Sequence, residues 1–341
     1  MGHFRGGLAH ANVLASVIFA GMSGSAIADT GGLGAIELKA MKDGGYEEDF
    51  SLAVTGASSL IGPVIPPSVP LVLYGVTASV SIADLFDAGI LPGILLGLVM
   101  IGINYIICKD KNIPVRKRAS LVEIWRSFRL AFWSCLLVVI IRCGITMGWF
   151  TPTEAAVVAV AYALALSFAY KTMTIRMLPK ALKEVLDICA GVLFLISTST
   201  LFSWILTFTG IPQTVARALL SVSDSPLVIM LIISLILLVL GLFMDSTPAI
   251  LIMTPILYPV ITSMGIDPVL FGVILVLWLM VGLVTPPVGM VLFVLSSISG
   301  VSIGKISKAI VPYIVGCISI ILLLIVYTCL MVSNPALPLL Y

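Results

Sequence analysis

Residues 61–75 read IGPVIPPSVPLVLYG and residues 282–294 read GLVTPPVGMVLFV. Each places a Pro-Pro pair inside an apolar run of membrane-spanning length, 52–75 in one case and 268–294 in the other. A proline ring removes a backbone donor and clashes with the preceding turn, so neither run continues as one unbroken helix. In lipid such a break survives only where neighbouring protein, a cavity or water satisfies the freed backbone groups. The two breaks are also in register with each other. At a constant offset of 220, residues 17–92 align with 237–312 without a gap. Gly21 meets Gly241, Gly45 meets Gly265 and Gly62 meets Gly282; Val64 meets Val284, Pro66-Pro67 meets Pro286-Pro287, Ser79 meets Ser299 and Pro92 meets Pro312.

The rest of the composition fits a chain built around such breaks. Of 341 residues 60% are hydrophobic and 10% charged, with a mean hydropathy of +1.21, which excludes a soluble globular domain. A net charge of +2 spread over short loops gives no surface for nucleic acid. The six cysteines sit in or beside apolar runs without paired spacing, and His3 and His10 stand without a cluster, so no metal centre of the Cys/His kind is expected. No G-x-x-x-x-G-K-[ST] loop is present, and nothing supports hydrolase chemistry or direct ATP coupling. The chain does not read as an enzyme. The segment after Arg5 runs into apolar sequence without a clear cleavage site, so the N-terminus is read as retained.

Seven crossings are expected, near 52–75, 89–108, 130–148, 153–170, 186–209, 268–294 and 310–330. Two further apolar stretches, 8–38 and 225–262, are interrupted at Gly21–Ser25 and at Gly241 with Asp245-Ser246-Thr247-Pro248. The charges favour re-entrant hairpins for both. Arg5 precedes the first stretch and Lys39 and Lys42 follow it, which a hairpin keeps on one side of the membrane. The loop with Lys109, Lys111, Arg116, Lys117, Arg118, Arg126 and Arg129 then reads as cytoplasmic, and the scheme places 16 of the 18 basic residues on that side. The N-terminus is expected inside and the C-terminus outside. Residues 112–129 mix basic residues with Leu121, Ile124, Trp125 and Phe128, a pattern for an interfacial helix.

Five crossings lie between the hairpins, and an odd number turns the second copy over. The fold expected is an all-α polytopic membrane protein with inverted repeats. Residues 1–108 form the first repeat (hairpin 8–38, broken helix 52–75, helix 89–108) and 109–129 a basic connector. Residues 130–209 form scaffold and linking helices, and 210–341 the second repeat (hairpin 225–262, broken helix 268–294, helix 310–330).

Helix interruptions at membrane depth expose carbonyl oxygens that coordinate Na⁺ and helix N-termini that attract anions. Two candidate ion sites follow. Ser23, Ser25, Ser58, Ser59, Gly62 and Ser68 belong to the first; Asp245, Ser246, Thr247, Gly282 and Thr285 belong to the second. The bland alternative is that these hydroxyls cap broken helices or bond back to their own backbone. Ser25, Ser59, Pro66, Pro67, Asp245, Pro286 and Pro287 are the candidate substrate contacts. Asp29, four residues after Ser25, shares its helical face and reads either as part of the site or as a structural acceptor. Glu154 after Thr151-Pro152-Thr153 reads as a first-turn capping residue. Arg142 is either an anion contact or a snorkelling side chain.

These blocks resemble the large membrane subunit of tripartite ATP-independent periplasmic (TRAP) transporters, of the DctM or SiaM type. The similar stretches are GHFRGGLAHANVLASVIFAGMSGSAIADTGGLG at 2–34, the two Pro-Pro blocks above, FTPTEAAVVAVAYAL at 150–164 and FMDSTPAILIMTPILYPV at 243–260. The resemblance implies Na⁺-driven import of a small organic anion, such as a C4-dicarboxylate or a sialic-acid-like acid, across the bacterial inner membrane. A periplasmic substrate-binding protein would deliver it, and a small four-helix membrane subunit would stand alongside. No cofactor is implied beyond Na⁺ as coupling ion. It also implies an elevator mechanism, in which hairpins and broken helices carry substrate past a scaffold. Subunits of this type usually begin earlier, with further membrane helices before the block that starts here at Gly2. They also tend to carry asparagine where Trp278 and Val291 stand. A truncated or degenerate, non-transporting subunit and a passive pore or channel are the rival expectations.

Overall fold

The computed structural model describes residues 4–109 and 120–334. Among them no strand occurs, and seven helices are long and apolar enough to cross a membrane. The chain is an all-α polytopic membrane protein. It divides into two compact units, Met1–Ala119 with Pro212–Tyr341, and Ser120–Ile211.

The first unit opens with α1 (Gly7–Ser23), α2 (Ala26–Gly31) and α3 (Leu33–Asp43), followed by α4 (Glu48–Ser58), a short 3-10 turn (Ser59–Ile61), α5 (Val69–Ala78) and α6 (Ile82–Lys109). In the second unit lie α7 (Leu121–Thr146), α8 (Pro152–Ala169) and α9 (Leu178–Phe208). The first unit resumes at Pro212 with α10 (Ile211–Leu220) and continues through α11 (Pro226–Phe243), α12 (Ser246–Ser263), α13 (Pro268–Leu283), α14 (Met290–Ser299) and α15 (Ile303–Ser333). Local sequence explains the boundaries. Ser68 caps α5 by accepting from Leu71 N at 3.2 Å, and Asp267 caps α13 by accepting from Val269 N and Leu270 N at 2.8 and 2.9 Å, just before Pro268.

The helices before and after α7–α10 correspond in order. α1, α4, α5 and α6 start, to within one residue, 220 positions before α11, α13, α14 and α15, while α2 with α3 matches α12. Both Pro66-Pro67 and Pro286-Pro287 are cis, and Pro92 and Pro312 both lie inside their helices. The packing is reciprocal under the same exchange. α4 packs on α15 and α13 on α6; α5 packs on α12 and α14 on α2; α1 packs on α4 and α6, as α11 does on α13 and α15. α13 is buried along its whole length from Val269, and α4 is buried from Phe50 to its end, so the two helices leading into the breaks form the centre of this unit. Tyr74 of α5 ties them together: its hydroxyl donates to Pro268 O at 2.8 Å and its ring fills the space left by Gly272.

The helices differ from the sequence reading in three places. The count of seven matches, but the members differ. Both arms of the second hairpin, α11 and α12, qualify as spans, whereas 52–75 and 268–294 do not. The Pro-Pro breaks divide the latter into helices such as α4, whose 11 residues extend about 16 Å against a bilayer core of about 30 Å. The expected interfacial helix over 112–129 is the second case. Residues 110–119 lie outside the described residues, and 121–129 form the start of α7, which Ser120 and Glu123 cap reciprocally. Arg126 and Arg129 therefore stand on the same helix as the span that follows. Third, α10 is a helix that apolar-run reading passes over, because its apolar residues are confined to one face.

Within the second unit α7 packs against α8, and Tyr162 donates to Trp133 O at 2.8 Å. Trp125, Trp133 and Trp204 are exposed, as expected for aromatic side chains that meet lipid.

Candidate functional site

Each hairpin tip lies against the Pro-Pro break of its own half. At the first, α1 ends on Gly24 in the left-handed region (φ 59°), and a Cβ there would come within 2.7 Å of Pro67 O. Only glycine allows this approach. The tip residues are tied to one another: Ser25 N donates to Ser23 Oγ at 3.5 Å, Ser25 Oγ caps α2 by accepting from Ala28 N at 3.4 Å, and Ser23 Oγ donates to Asp29 Oδ1. Asp29 is 2% exposed. A Cβ on Gly62 would lie 2.5 Å from its Oδ2, so the carboxylate sits directly on the backbone where the first break begins.

Behind this break the side chains are polar and buried. Ser58 Oγ donates to Asn12 Oδ1 at 2.8 Å, Asn12 Nδ2 donates to Thr55 Oγ1 at 2.8 Å, and Ser59 Oγ donates to Gly56 O at 2.9 Å. Ser68 Oγ donates to Pro63 O across the break. Pro66 is buried and Pro67 half-buried.

The second tip is built differently. Gly241 of α11 and Gly282 of α13 approach so closely that a Cβ on Gly282 would lie 2.3 Å from Gly241 C. Val288 N donates to Leu242 O at 3.3 Å, joining break to hairpin through backbone. Asp245 caps α12 and accepts from Ser246 N at 2.7 Å and from Ser246 Oγ at 3.3 Å. Asp245 and Thr247 are half-buried, and Pro286 and Pro287 are exposed. Thr285 Oγ1 donates to Val281 O at 2.7 Å.

The geometry thus gathers Ser23, Ser25, Gly62 and Pro67 at one break and joins Gly282 to the second hairpin at the other. The bland reading of the hydroxyls also has substance, since Ser25 and Ser68 cap helices and Ser59 and Thr285 bond to their own. A hydroxyl that donates its proton to a carbonyl still presents lone pairs to a cation, so capping and ligation are compatible. Arg142 lies half-buried in α7, in the second unit. Glu154 accepts from Thr151 N and Oγ1 at 2.8 and 2.9 Å and acts as a capping residue. Trp278 is buried with its indole Nε1 unpartnered among the described residues.

Sequence reading gave too little weight to Asp29 and passed over Asn12, Glu37 and Thr55. A signal was present: Gly34, Glu37 and Met41 fall at helical spacing on the buried face of α3, which makes a carboxylate in that row conspicuous. A separate cleft of about 230 Å³ lies among Lys39, Lys42, Glu48 and Ser51, with Ser299 on its rim; the sequence-predicted site residues do not line it.

Residues 1–330 match the family described as tripartite ATP-independent periplasmic transporter, DctM component. The sialic acid TRAP transporter large permease protein SiaM of Vibrio cholerae is 43% identical over 328 residues, 96% of this chain and 77% of that protein. The C4-dicarboxylate TRAP transporter large permease protein DctM of Pseudomonas aeruginosa is 39% identical over 339 residues, 99% of this chain and 79% of the relative. The sialic acid TRAP transporter permease protein SiaT of Haemophilus influenzae is 40% identical over 316 residues, 92% of this chain and 51% of its own length.

Proposed function

The chain belongs to the DctM family of tripartite ATP-independent periplasmic transporters as a large permease subunit, and we propose that it imports a small organic anion in symport with Na⁺. The anion is of the sialic acid or C4-dicarboxylate class, as the names of the relatives suggest. A periplasmic binding protein delivers it, and a small membrane subunit completes the assembly in the bacterial inner membrane. The N-terminus is cytoplasmic and the C-terminus periplasmic.

The observation that carries this reading is the reciprocal packing of the two sets of helices, each closing a hairpin onto a Pro-Pro break. Such a pair supports two inverted repeats that alternate access around a central site. In the elevator form, the hairpins and broken helices move substrate past a scaffold to which residues 130–209 contribute. Electrostatics supports coupling to a cation. The N-terminus of α12 attracts anions, yet Asp245 occupies it, so a carboxylate substrate meets like charge there until Na⁺ neutralises it. Ser23, Ser25 and Gly62 supply oxygens to one Na⁺, and Asp245, Thr247, Gly282 and Thr285 to another, partly through backbone carbonyls. Ser25, Ser59, Pro66-Pro67, Asp245 and Pro286-Pro287 border the substrate.

Uptake into proteoliposomes holding the chain with its small subunit tests this. N-acetylneuraminate and succinate are the candidate acids, with and without binding protein and with and without an inward Na⁺ gradient. Uptake is expected only with both, and is expected to be lost in Asp245→Ala and Ser25→Ala. Uptake indifferent to Na⁺, or unchanged by both substitutions, refutes the proposal.

A further inference from the structure

Three helices of the first unit end at the cleft noted above. α3 contributes Lys39 and Lys42 near its C-terminus, α4 contributes Glu48 from its first turn, and α14 contributes Ser299, its last residue. Both α3 and α14 pack on α4, and the cleft of about 230 Å³ is the space among them. Lys39 and Lys42 are three positions apart and share a face of α3. They and Glu48 are exposed, and no hydrogen bond or ion pair joins these three side chains to one another or to any other described residue. Opposite charges thus line one small cleft without meeting. About a turn in from Lys42 and Glu48 the lining becomes apolar, at Leu38 on α3 and Leu52 on α4, with Ile298 of α14 alongside. Ile36 is 69% and Ile298 41% exposed, so apolar surface continues outside the cleft. A charged rim above an apolar wall is the profile of a lipid molecule.

We propose that this cleft seats the headgroup of a zwitterionic phospholipid of the phosphatidylethanolamine class. The two lysine ammoniums hold the lipid phosphate, and the headgroup ammonium donates to the Glu48 carboxylate, so that each unpaired charge of the cleft gains a charge-assisted bond. The acyl chains lie along the exposed Ile36 and Ile298. An anionic lipid suits the place less well, because Asp43, Glu47 and Asp49 flank the same helix ends, and this is not the run of basic residues that gathers anionic headgroups. The volume is also below the roughly 300 Å³ at which pockets for drug-sized ligands begin, which suits a headgroup whose chains stay outside. α3 belongs to the first hairpin and α14 follows the second break, so a lipid seated between them braces the two halves against each other at this end. That the lipid belongs to the cytoplasmic leaflet rests on the topology proposed above; its binding does not.

The test is thermal unfolding of the chain purified in detergent and freed of native lipid. It is titrated with phosphatidylethanolamine, phosphatidylcholine or phosphatidylglycerol of one acyl composition, or with water-soluble glycerophosphoethanolamine. A ligand that binds the folded state raises the midpoint according to its affinity. Phosphatidylethanolamine is expected to act at the lowest concentration. Phosphatidylcholine, whose ammonium has no N–H to donate, and phosphatidylglycerol, which has no ammonium, are expected to need about tenfold more. Lys39→Gln with Lys42→Gln is expected to raise the half-maximal phosphatidylethanolamine concentration about tenfold, whereas Lys39→Arg with Lys42→Arg, which keeps the charge, is expected to retain the response. Glu48→Gln is expected to abolish the preference for phosphatidylethanolamine over phosphatidylglycerol. Equal shifts with all three lipids, or a phosphatidylethanolamine response left unchanged by the neutral substitutions, overturn the proposal. A stronger response to phosphatidylglycerol makes this a site for anionic lipid, and an equal response to glycerophosphoethanolamine makes it a site for a soluble phosphodiester; either result also overturns it.

Discussion

Gly282→Ala tests the tightest approach of backbone to a glycine among the described residues. The added Cβ would lie 2.3 Å from Gly241 C and 2.5 Å from both its Cα and its O. An ordinary contact begins near 3.4 Å, so the pair must open by about 1.1 Å. Because the obstructing atoms are backbone, no rotamer change relieves the clash, and α11 or α13 must move bodily. Overpacking of this kind costs roughly 1–3 kcal/mol, and the upper end applies to a rigid obstacle. The gain from replacing a helical glycine by alanine returns about 0.5–1 kcal/mol, which leaves a net loss of about 2 kcal/mol. The same interface provides its own control. A Cβ on Gly241 meets Gly282 Cα at 3.2 Å and Leu279 Cα at 3.3 Å, which needs an adjustment of only a few tenths of an ångström. Gly282→Ala is therefore expected to lower the thermal midpoint in detergent and to reduce uptake, since the Val288 N to Leu242 O bond is already 3.3 Å long. Gly241→Ala is expected to be much milder in both measurements. Equal effects of the two substitutions, or a Gly282→Ala protein as stable and active as the parent, would refute the reasoning.

Further substitutions probe the packing and the capping assignments. Tyr74→Phe keeps the ring against Gly272 and Phe271 and removes the bond to Pro268 O, so a loss of about 1 kcal/mol is expected in thermal unfolding. Asn104→Ala removes the partner of the Tyr313 hydroxyl and the second partner of Ala9 O, which keeps its helical bond; the orphaned hydroxyl costs about 1–3 kcal/mol, and adding Tyr313→Phe should recover part of the loss in a double-mutant cycle. Gly56→Ala meets Leu295 Cδ1 at 2.7 Å and Ile310 Cδ1 at 3.2 Å, both ends of flexible side chains, so its effect on the midpoint should fall below that of Gly282→Ala. Glu154→Gln weakens a capping box on exposed residues and should leave substrate affinity in uptake assays unchanged; a changed affinity would make Glu154 more than a cap.

Sequence reveals the backbone plan better than the side-chain chemistry, for physical reasons. Pro66-Pro67, Pro286-Pro287 and the glycines of the tips act locally, so their effect on a helix is visible in one dimension, and the breaks appear where the runs predict them. The splitting of 52–75 into α4 and α5 follows from the same residues. The partnership of Asp29 with Gly62 does not, because it joins positions 33 residues apart through a contact that only folding creates. Glu37 is less hidden, since it falls at helical spacing with Gly34 and Met41, but only the packing of α3 on α1 and α4 shows that this row is buried. In the second half the surprise ran the other way. Asp245, the most conspicuous charge in the sequence of that hairpin, is half-buried and bonded to Ser246, whereas the buried carboxyl oxygens without a partner among the described residues, Asp29 Oδ2 and Glu37 Oε1, lie in the first.

The contrast between the halves separates two requirements of such a fold. Positions that set backbone geometry agree: Gly21 with Gly241, Gly62 with Gly282, the two Pro-Pro pairs, and Pro92 with Pro312. Positions that set the charge around the breaks do not agree, since Asp29 and Glu37 face Ala249 and Leu257. Carbonyl oxygens come with the broken backbone and are available at either break, but a full negative charge in a dry interior has to be supplied by a side chain. Two sites with the same backbone and different charge bind a cation with different strength. The charge beside a break is therefore set half by half: Asp29 lies buried against Gly62 in the first, whereas Asp245 stands half-buried at the N-terminus of α12 in the second.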